Sequence, residues 1–239
     1  MLIALWAVPR SASTAFERMC IERGDLEVVH EPFSRCWYLG PDAQHSRYQP
    51  EHPDPEHAYQ PVRDALLAAA HASRPVFFKD MAYHLLPWHE ADFMARLRSG
   101  FLIRHPRLVL ASMARKMPDF TLAETGFLAL ERLFHSERER LGQTPPLVDA
   151  DALCADPAGQ IAAWCQAMGL PFLSESLEWQ PGLLPQWQIW EAWHRDVART
   201  TGFAPPRDPA AAVIPAEHTD ALETCMAIYH RLLPWRLAP

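Results

Sequence analysis

Two stretches of the chain carry side chains whose types and spacing suit an anionic ligand. The first is Pro9-Arg10-Ser11-Ala12-Ser13-Thr14, set between an apolar run and a helical pattern. Where a strand feeds a helix, the helix N-terminus offers unpaired N–H groups and a positive dipole end to a phosphate or sulfate. The hydroxyls of Ser11, Ser13 and Thr14 add donors, and Arg10 adds a charged fork. The Gly-x-x-x-x-Gly-Lys-Ser/Thr loop of nucleoside triphosphatases is absent, and no lysine precedes Lys79. The second stretch spans residues 101–112, with Arg104 at a strand end and Ser112 in the helix that follows. There a guanidinium and a hydroxyl can converge on one phosphate. Each stretch has a plainer reading as well: a Ser/Thr-rich helix cap, and a strand-end arginine paired with a surface carboxylate.

Titratable groups lie on the same rim: Glu31, just past a second strand in His30-Glu31-Pro32-Phe33, could serve as a base. A partly buried carboxylate rises towards a useful pKa, and a positioned base contributes about 10²–10⁴ in rate. Glu31 is equally suited to an ion pair with Arg10 or Lys79, and His30 and His84 are the other candidate bases. Lys79, one of two lysines among 22 Lys and Arg, ends a third strand and can meet developing negative charge. His45, His52 and His57 share a loop but match no metal-ligand spacing, so no metal is expected. Trp187, Trp190 and Trp193 recur at helical spacing and read as core. Glu137, Arg138, Glu139 and Arg140 read as a solvated helix face.

These residues need a scaffold, and the periodicity supplies one. Apolar runs at 2–8, 26–30, 75–79, 100–104 and 146–149 read as strands. Helical patterns begin at 13–14 and cover 62–72, 85–98, 106–116, 122–141 and 157–168. Thr14 and Glu17 have capping-box spacing. The alternation predicts an α/β fold with a mainly parallel central sheet flanked by helices. Ligands in such folds sit at the carboxyl ends of the strands. Residues 32–60 lack periodicity and are expected to form a long acceptor-facing loop. No strand follows residue 172, so 173–239 is expected to be a helical C-terminal part closing on a helix at 216–233.

Composition narrows the class of partner. With 239 residues, 49% hydrophobic and 21% charged, the chain reads as one globular domain, 1–239. Its 29 acidic residues outnumber its 22 basic ones, which argues against nucleic acid as a partner. Five cysteines without a C-x-x-C pair make neither a disulfide scaffold nor a zinc ribbon. The apolar start, residues 1–8, is too short to span a membrane and has no basic flank. A cytoplasmic protein without membrane partners is expected.

Together the two anion-handling stretches resemble the sulfotransferases that use 3′-phosphoadenosine 5′-phosphosulfate (PAPS). The similarity is closest to a bacterial small-molecule subgroup beginning W-x-x-P-R-S-x-S-T, matched from Trp6 to Thr14. It extends through Pro75-Val76-Phe77-Phe78-Lys79-Asp80, Arg104 with Ser112 eight residues on, Leu147-Val148-Asp149 and Gly169-Leu170-Pro171-Phe172. The resemblance implies a P-loop-like sulfotransferase fold with a nucleotide-binding core at 1–172. It implies that Arg10, Ser11, Ala12, Ser13 and Thr14 hold the 5′-phosphosulfate, and that Arg104 and Ser112 hold the 3′-phosphate. Lys79 would steady the leaving group and Glu31 would activate a small-molecule acceptor. The family pattern often has Gly where Ala12 stands, so a differently shaped loop is expected. Met81 stands where soluble relatives carry a basic histidine, and no Arg-Lys-Gly segment closes the C-terminal part. A nucleotide kinase and a catalytically degenerate nucleotide binder are the rival readings.

Overall fold

In the computed structural model, which describes residues 1–238, the five expected strands form one all-parallel sheet. They are β1 (Leu2–Ala7), β2 (Glu27–His30), β3 (Val76–Met81), β4 (Leu97–Ile103) and β5 (Leu147–Asp149), in the order β2-β3-β1-β4-β5. Every residue of β1 is buried, because helices cover both faces of the sheet; an unbroken apolar run is the sequence form of that environment. The helices are α1 (Ser13–Glu22), α2 (Pro32–Tyr38), α3 (Tyr59–Ala69), α4 (Ala82–Leu85), α5 (Ala91–Met94) and α6 (Pro106–Ala114). They continue with α7 (Phe127–Leu141), α8 (Ala150–Ala155), α9 (Pro157–Met168), α10 (Glu191–His194) and α11 (Thr219–Leu232). On one face Trp164 of α9 meets Phe16 of α1 and Phe77 of β3 edge to face, its ring centroid 4.9 and 6.1 Å from theirs.

The winding of the chain places the site. From β1 it goes to β2 and β3 on one side, then passes over β1 to β4 and β5 on the other. Strand order reverses beside β1, and the crevice at such a point is where open α/β sheets bind ligands. Residues 9–14, His30 with Glu31, Lys79 and Arg104 therefore share one rim; Lys79 is in register with Leu5 on one side and His30 on the other.

Several boundaries differ from expectation for local reasons. The helix expected over 85–98 is broken into α4, a 3₁₀ turn containing Pro87, and α5, and β4 already begins at Leu97. The helix expected from 122 starts only at Phe127, because Gly126 takes φ +77° and packs against Pro9; a Cβ there would lie 3.0 Å from Pro9 Cδ. Residues 32–60 contain α2 and the first turn of α3 as well as loop. The C-terminal part has α10, α11 and short 3₁₀ turns joined by irregular chain, so helix is a smaller share of it than expected. Glu137 is fully buried and bonded to Arg140 at 2.7 Å rather than solvated. Among the described residues no helix is long and apolar enough to cross a membrane.

Candidate active site

The loop between β1 and α1 is held in a conformation that side chains disfavour. Arg10, Ala12 and Glu31 are the non-glycine residues with positive φ among those described, at 59°, 64° and 39°. Ala12 thus takes the left-handed shape that its Cβ disfavours, at a cost of about 1–2 kcal/mol. Such strain persists where the surroundings over-determine it. Part of that hold comes from Ser11, fully buried, whose Oγ donates to the Val8 carbonyl at 2.6 Å. Ser11 therefore points inward and offers its hydroxyl to no ligand, contrary to expectation. The capping box does not form either: Ala12 caps α1 without a side-chain bond, and Glu17 turns toward the sheet.

A cavity of about 520 Å³ opens in front of this loop, lined by Arg10, Ala12, Ser13, Thr14, Arg104 and Ser112. The structure brings the two sequence stretches into direct contact. Arg10 Nε donates to Ser112 Oγ at 2.9 Å, and Arg104 Nη1 donates to the Arg10 carbonyl at 2.9 Å. Arg104 also faces Asp151 at 3.4 Å, as its plainer reading as a carboxylate partner expects. Arg115 and Arg207 also line it, with Phe203 and the carboxylate of Asp196. Burial, with Arg104, Arg115 and Arg207 nearby, lowers Arg10 from its ordinary value despite Asp196. Four guanidiniums crowded in one cavity are a setting that an anion relieves. Sequence reasoning missed Arg115 and Arg207; Arg207 lies in irregular chain with no motif to mark it.

A second, smaller cavity of about 90 Å³ shares Arg10, Ser13, Thr14 and Trp193 with the first. Its walls are Tyr38, Tyr48, Tyr83 and Trp190 with Met81, Met113 and Met117; its polar groups include Glu31, Lys79, His84 and His194. Trp187 is core, as read from spacing, but Trp190 and Trp193 are cavity walls rather than core. Lys79 is fully buried and its Nζ donates to Glu31 Oε1, with Glu17 Oε2 3.8 Å away. Burial alone would raise Glu31, yet Lys79 above all, with His30 and His194, holds its carboxyl well below the usual range. Burial first, then Lys79, pushes His194 down to about 3; its Nδ1 lies 3.2 Å from Thr14 Oγ1.

Asp80 organises this cavity from behind. Fully buried, it accepts from Phe33 N–H at 2.6 Å, from Met81 N–H at 2.8 Å, and faces His84 Nδ1 at 2.6 Å. Its first bond pins the start of α2 to β3 and so fixes Glu31, the residue before that helix. Burial raises Asp80 from its ordinary value; in its ionised form it can only accept, and the His84 proton then sits on Nδ1. His84 Nε2 is buried, has no hydrogen-bond partner, and belongs to a side chain lining the cavity. His45 pairs with Glu124 at 3.4 Å, and His45, His52 and His57 form no metal-holding group among the described residues.

Comparison with known proteins points the same way. The sequence profile of the sulfotransferase domain matches residues 1–234. Two Arabidopsis thaliana proteins, branched-chain-amino-acid aminotransferase-like proteins 2 and 1, are 26% and 27% identical over 97% of this chain. The chain spans 41% of the length of each. The sulfotransferase domain of the Synechococcus PCC 7002 olefin synthase superposes with a TM-score of 0.61 at 20% identity, covering 96% of this chain and 94% of that one. The sulfotransferase domain from the curacin biosynthetic pathway gives 0.54 at 14% identity, covering 100% and 98%. At these identities the structural likeness is one of fold.

Proposed function

The chain belongs to the sulfotransferase domain family, and from that premise we propose that it moves a sulfuryl group from PAPS to a hydroxyl or amine of a small molecule. The observation that carries the reading is the meeting of two unlike cavities at Arg10, Ser13, Thr14 and Trp193, one basic and one aromatic. The basic cavity takes the nucleotide. Ser13, Thr14 and the N-terminus of α1 meet the 5′-phosphosulfate, Arg104 and Ser112 meet the 3′-phosphate, and Arg115 and Arg207 add charge. Arg10 reaches Ser112 and lines both cavities, so it spans the two ends of the donor. The missing loop lysine and the lack of a Gly-Lys pair tell against a nucleotide kinase.

In the transfer, the acceptor oxygen or nitrogen bonds to sulfur as the bond from sulfur to the bridging phosphate oxygen breaks. The acceptor proton goes to a base, and the electron pair of the broken bond stays on adenosine 3′,5′-bisphosphate. As in phosphoryl transfer, most of the catalysis lies in positioning and in charge stabilisation. Lys79 and Arg10 meet the charge on the leaving oxygen in a buried setting, where it counts for more than in water. Of the candidate bases, the geometry favours His84. Its Nε2 is unpartnered and its other nitrogen is fixed by Asp80, whereas Glu31 is engaged by Lys79. Turnover of labelled PAPS over a panel of alcohols, phenols and amines tests this. His84→Asn is expected to lower kcat by about 10²–10⁴ with donor binding kept. Full activity in His84→Asn with loss only in Glu31→Gln would return the role of base to Glu31, and no turnover in wild type would favour the degenerate binder.

A further inference from the structure

We propose that His30, Glu31 and His194 form a binding site for a first-row divalent transition-metal ion, with zinc best suited to the donors. The three side chains offer ligand atoms that all lie within 4.8 Å of one another. They are 7%, 9% and 3% exposed, so the group is a buried constellation and not a surface scatter of acids. Two imidazoles and one carboxylate are a donor set that borderline ions take, with further positions left to water.

The ring nitrogens are prepared for it. Nε2 of His30 and Nε2 of His194 are both buried without a hydrogen-bond partner, in a setting where polar atoms are ordinarily satisfied. His30 Nδ1 lies 2.8 Å from a Glu17 oxygen, and a carboxylate can only accept, so the proton sits on Nδ1 and the lone pair on Nε2. Carboxylate, imidazole and ion in series is the arrangement that orients histidine ligands. Trp187 Nε1 donates to the same carboxylate at 3.0 Å and fixes it in turn. Thr14 Oγ1, 3.2 Å from His194 Nδ1, can accept a hydrogen bond from Nδ1–H and leave Nε2 of that ring likewise open. Lys79 engages Glu31 through Oε1, and no hydrogen bond among the described residues reaches Oε2.

Two carboxylates, Glu17 and Glu31, face one ammonium, Lys79, so a cation arriving beside Glu31 meets a net negative group. His30 ends β2 whereas His194 closes α10, so an ion here would also tie the chain that covers the cavities to the sheet.

The site shares Glu31 and His194 with the smaller cavity, but its test does not depend on the transfer reading, because it is read by metal alone. The full chain, stripped with a chelator and freed of it, is titrated with Co²⁺ and then Zn²⁺. One equivalent of cobalt is expected to bind with the visible absorption of a nitrogen- and oxygen-ligated ion, to be displaced by zinc, and to raise the melting temperature. His194→Ala is expected to abolish the absorption. Glu17→Gln keeps all three ligands and is expected to weaken binding by about 10–100-fold while circular dichroism stays native. It decides the matter should the His194 variant fail to fold. No saturable binding below about 1 mM overturns the proposal. So does binding unchanged in Glu17→Gln, or binding kept in His194→Ala and lost in His45→Ala or His52→Ala.

Discussion

His194 gives up its charge on folding, and stability should record it. The unfolded chain takes up a proton near the ordinary value of 6.5, whereas the folded chain waits until about 3. Thr14, His30, Glu31, Lys79 and Arg10 surround the ring, and burial with Lys79 outweighs the carboxylate. Between those two values the unfolded state binds more protons, so stability rises with pH and is lost on acidification. Glu31 acts in the same direction in a lower window. Its depressed value contributes stability above the unfolded 4.5, and that contribution fades as pH falls further. Melting temperatures of the metal-free protein measured between pH 6.5 and 4.5 are expected to fall for wild type and to fall less for His194→Gln. Parallel curves for the two proteins would assign the acid sensitivity to another group.

At the scale of the element, the β1–α1 loop behaves as a strained part held in place by its neighbours. Ala12 sits at φ 64°, where glycine is free and alanine is not. Ala12→Gly relieves about 1–2 kcal/mol of strain, and greater freedom of the unfolded chain returns about 0.4–1 kcal/mol of it. The variant is expected to be neutral to about 1.5 kcal/mol more stable in urea unfolding, where alanine to glycine within a helix costs about 1 kcal/mol. A loss of that size at Ala12 would mean that its methyl group is needed for packing. The loop was placed correctly from sequence because a buried apolar strand before a Ser/Thr-rich turn is a local signal. The five strands were legible for the same reason, each being a short apolar run between turns. α2 was not, since Asp80, distant in sequence, pins its first turn, and no periodicity over residues 32–60 reports such a contact. The roles of Trp190 and Trp193 stayed hidden too, because spacing says which face of a turn a residue occupies and not whether that face meets core or cavity.

At the scale of the whole molecule, the irregular C-terminal chain lines both cavities and is tethered in part by Arg10, which would serve the donor. Arg10 donates to the Trp193 carbonyl at 2.9 Å and pairs with Asp196 at 3.3 Å, while Lys116 Nζ reaches the Ala192 carbonyl. Arg107 holds the carbonyls of Pro209 and Ala212 at 3.1 and 2.8 Å. Asp196 is thus a resident carboxylate competing for Arg10, and it is largely exposed. Its pair is the weak surface kind, worth about 0.2–1 kcal/mol. Asp196→Ala is expected to tighten binding of adenosine 3′,5′-bisphosphate by about 2–5-fold; weaker binding would make Asp196 a ligand contact instead. The most direct test of the account is a calorimetric titration of wild type, Arg10→Ala and Arg104→Ala with adenosine 3′,5′-bisphosphate and with ATP–Mg²⁺. The bisphosphate should bind wild type more tightly than ATP–Mg²⁺ and lose roughly tenfold or more with either arginine removed, each being a charge-assisted contact. A preference for ATP–Mg²⁺, or bisphosphate affinity indifferent to both arginines, would contradict the account.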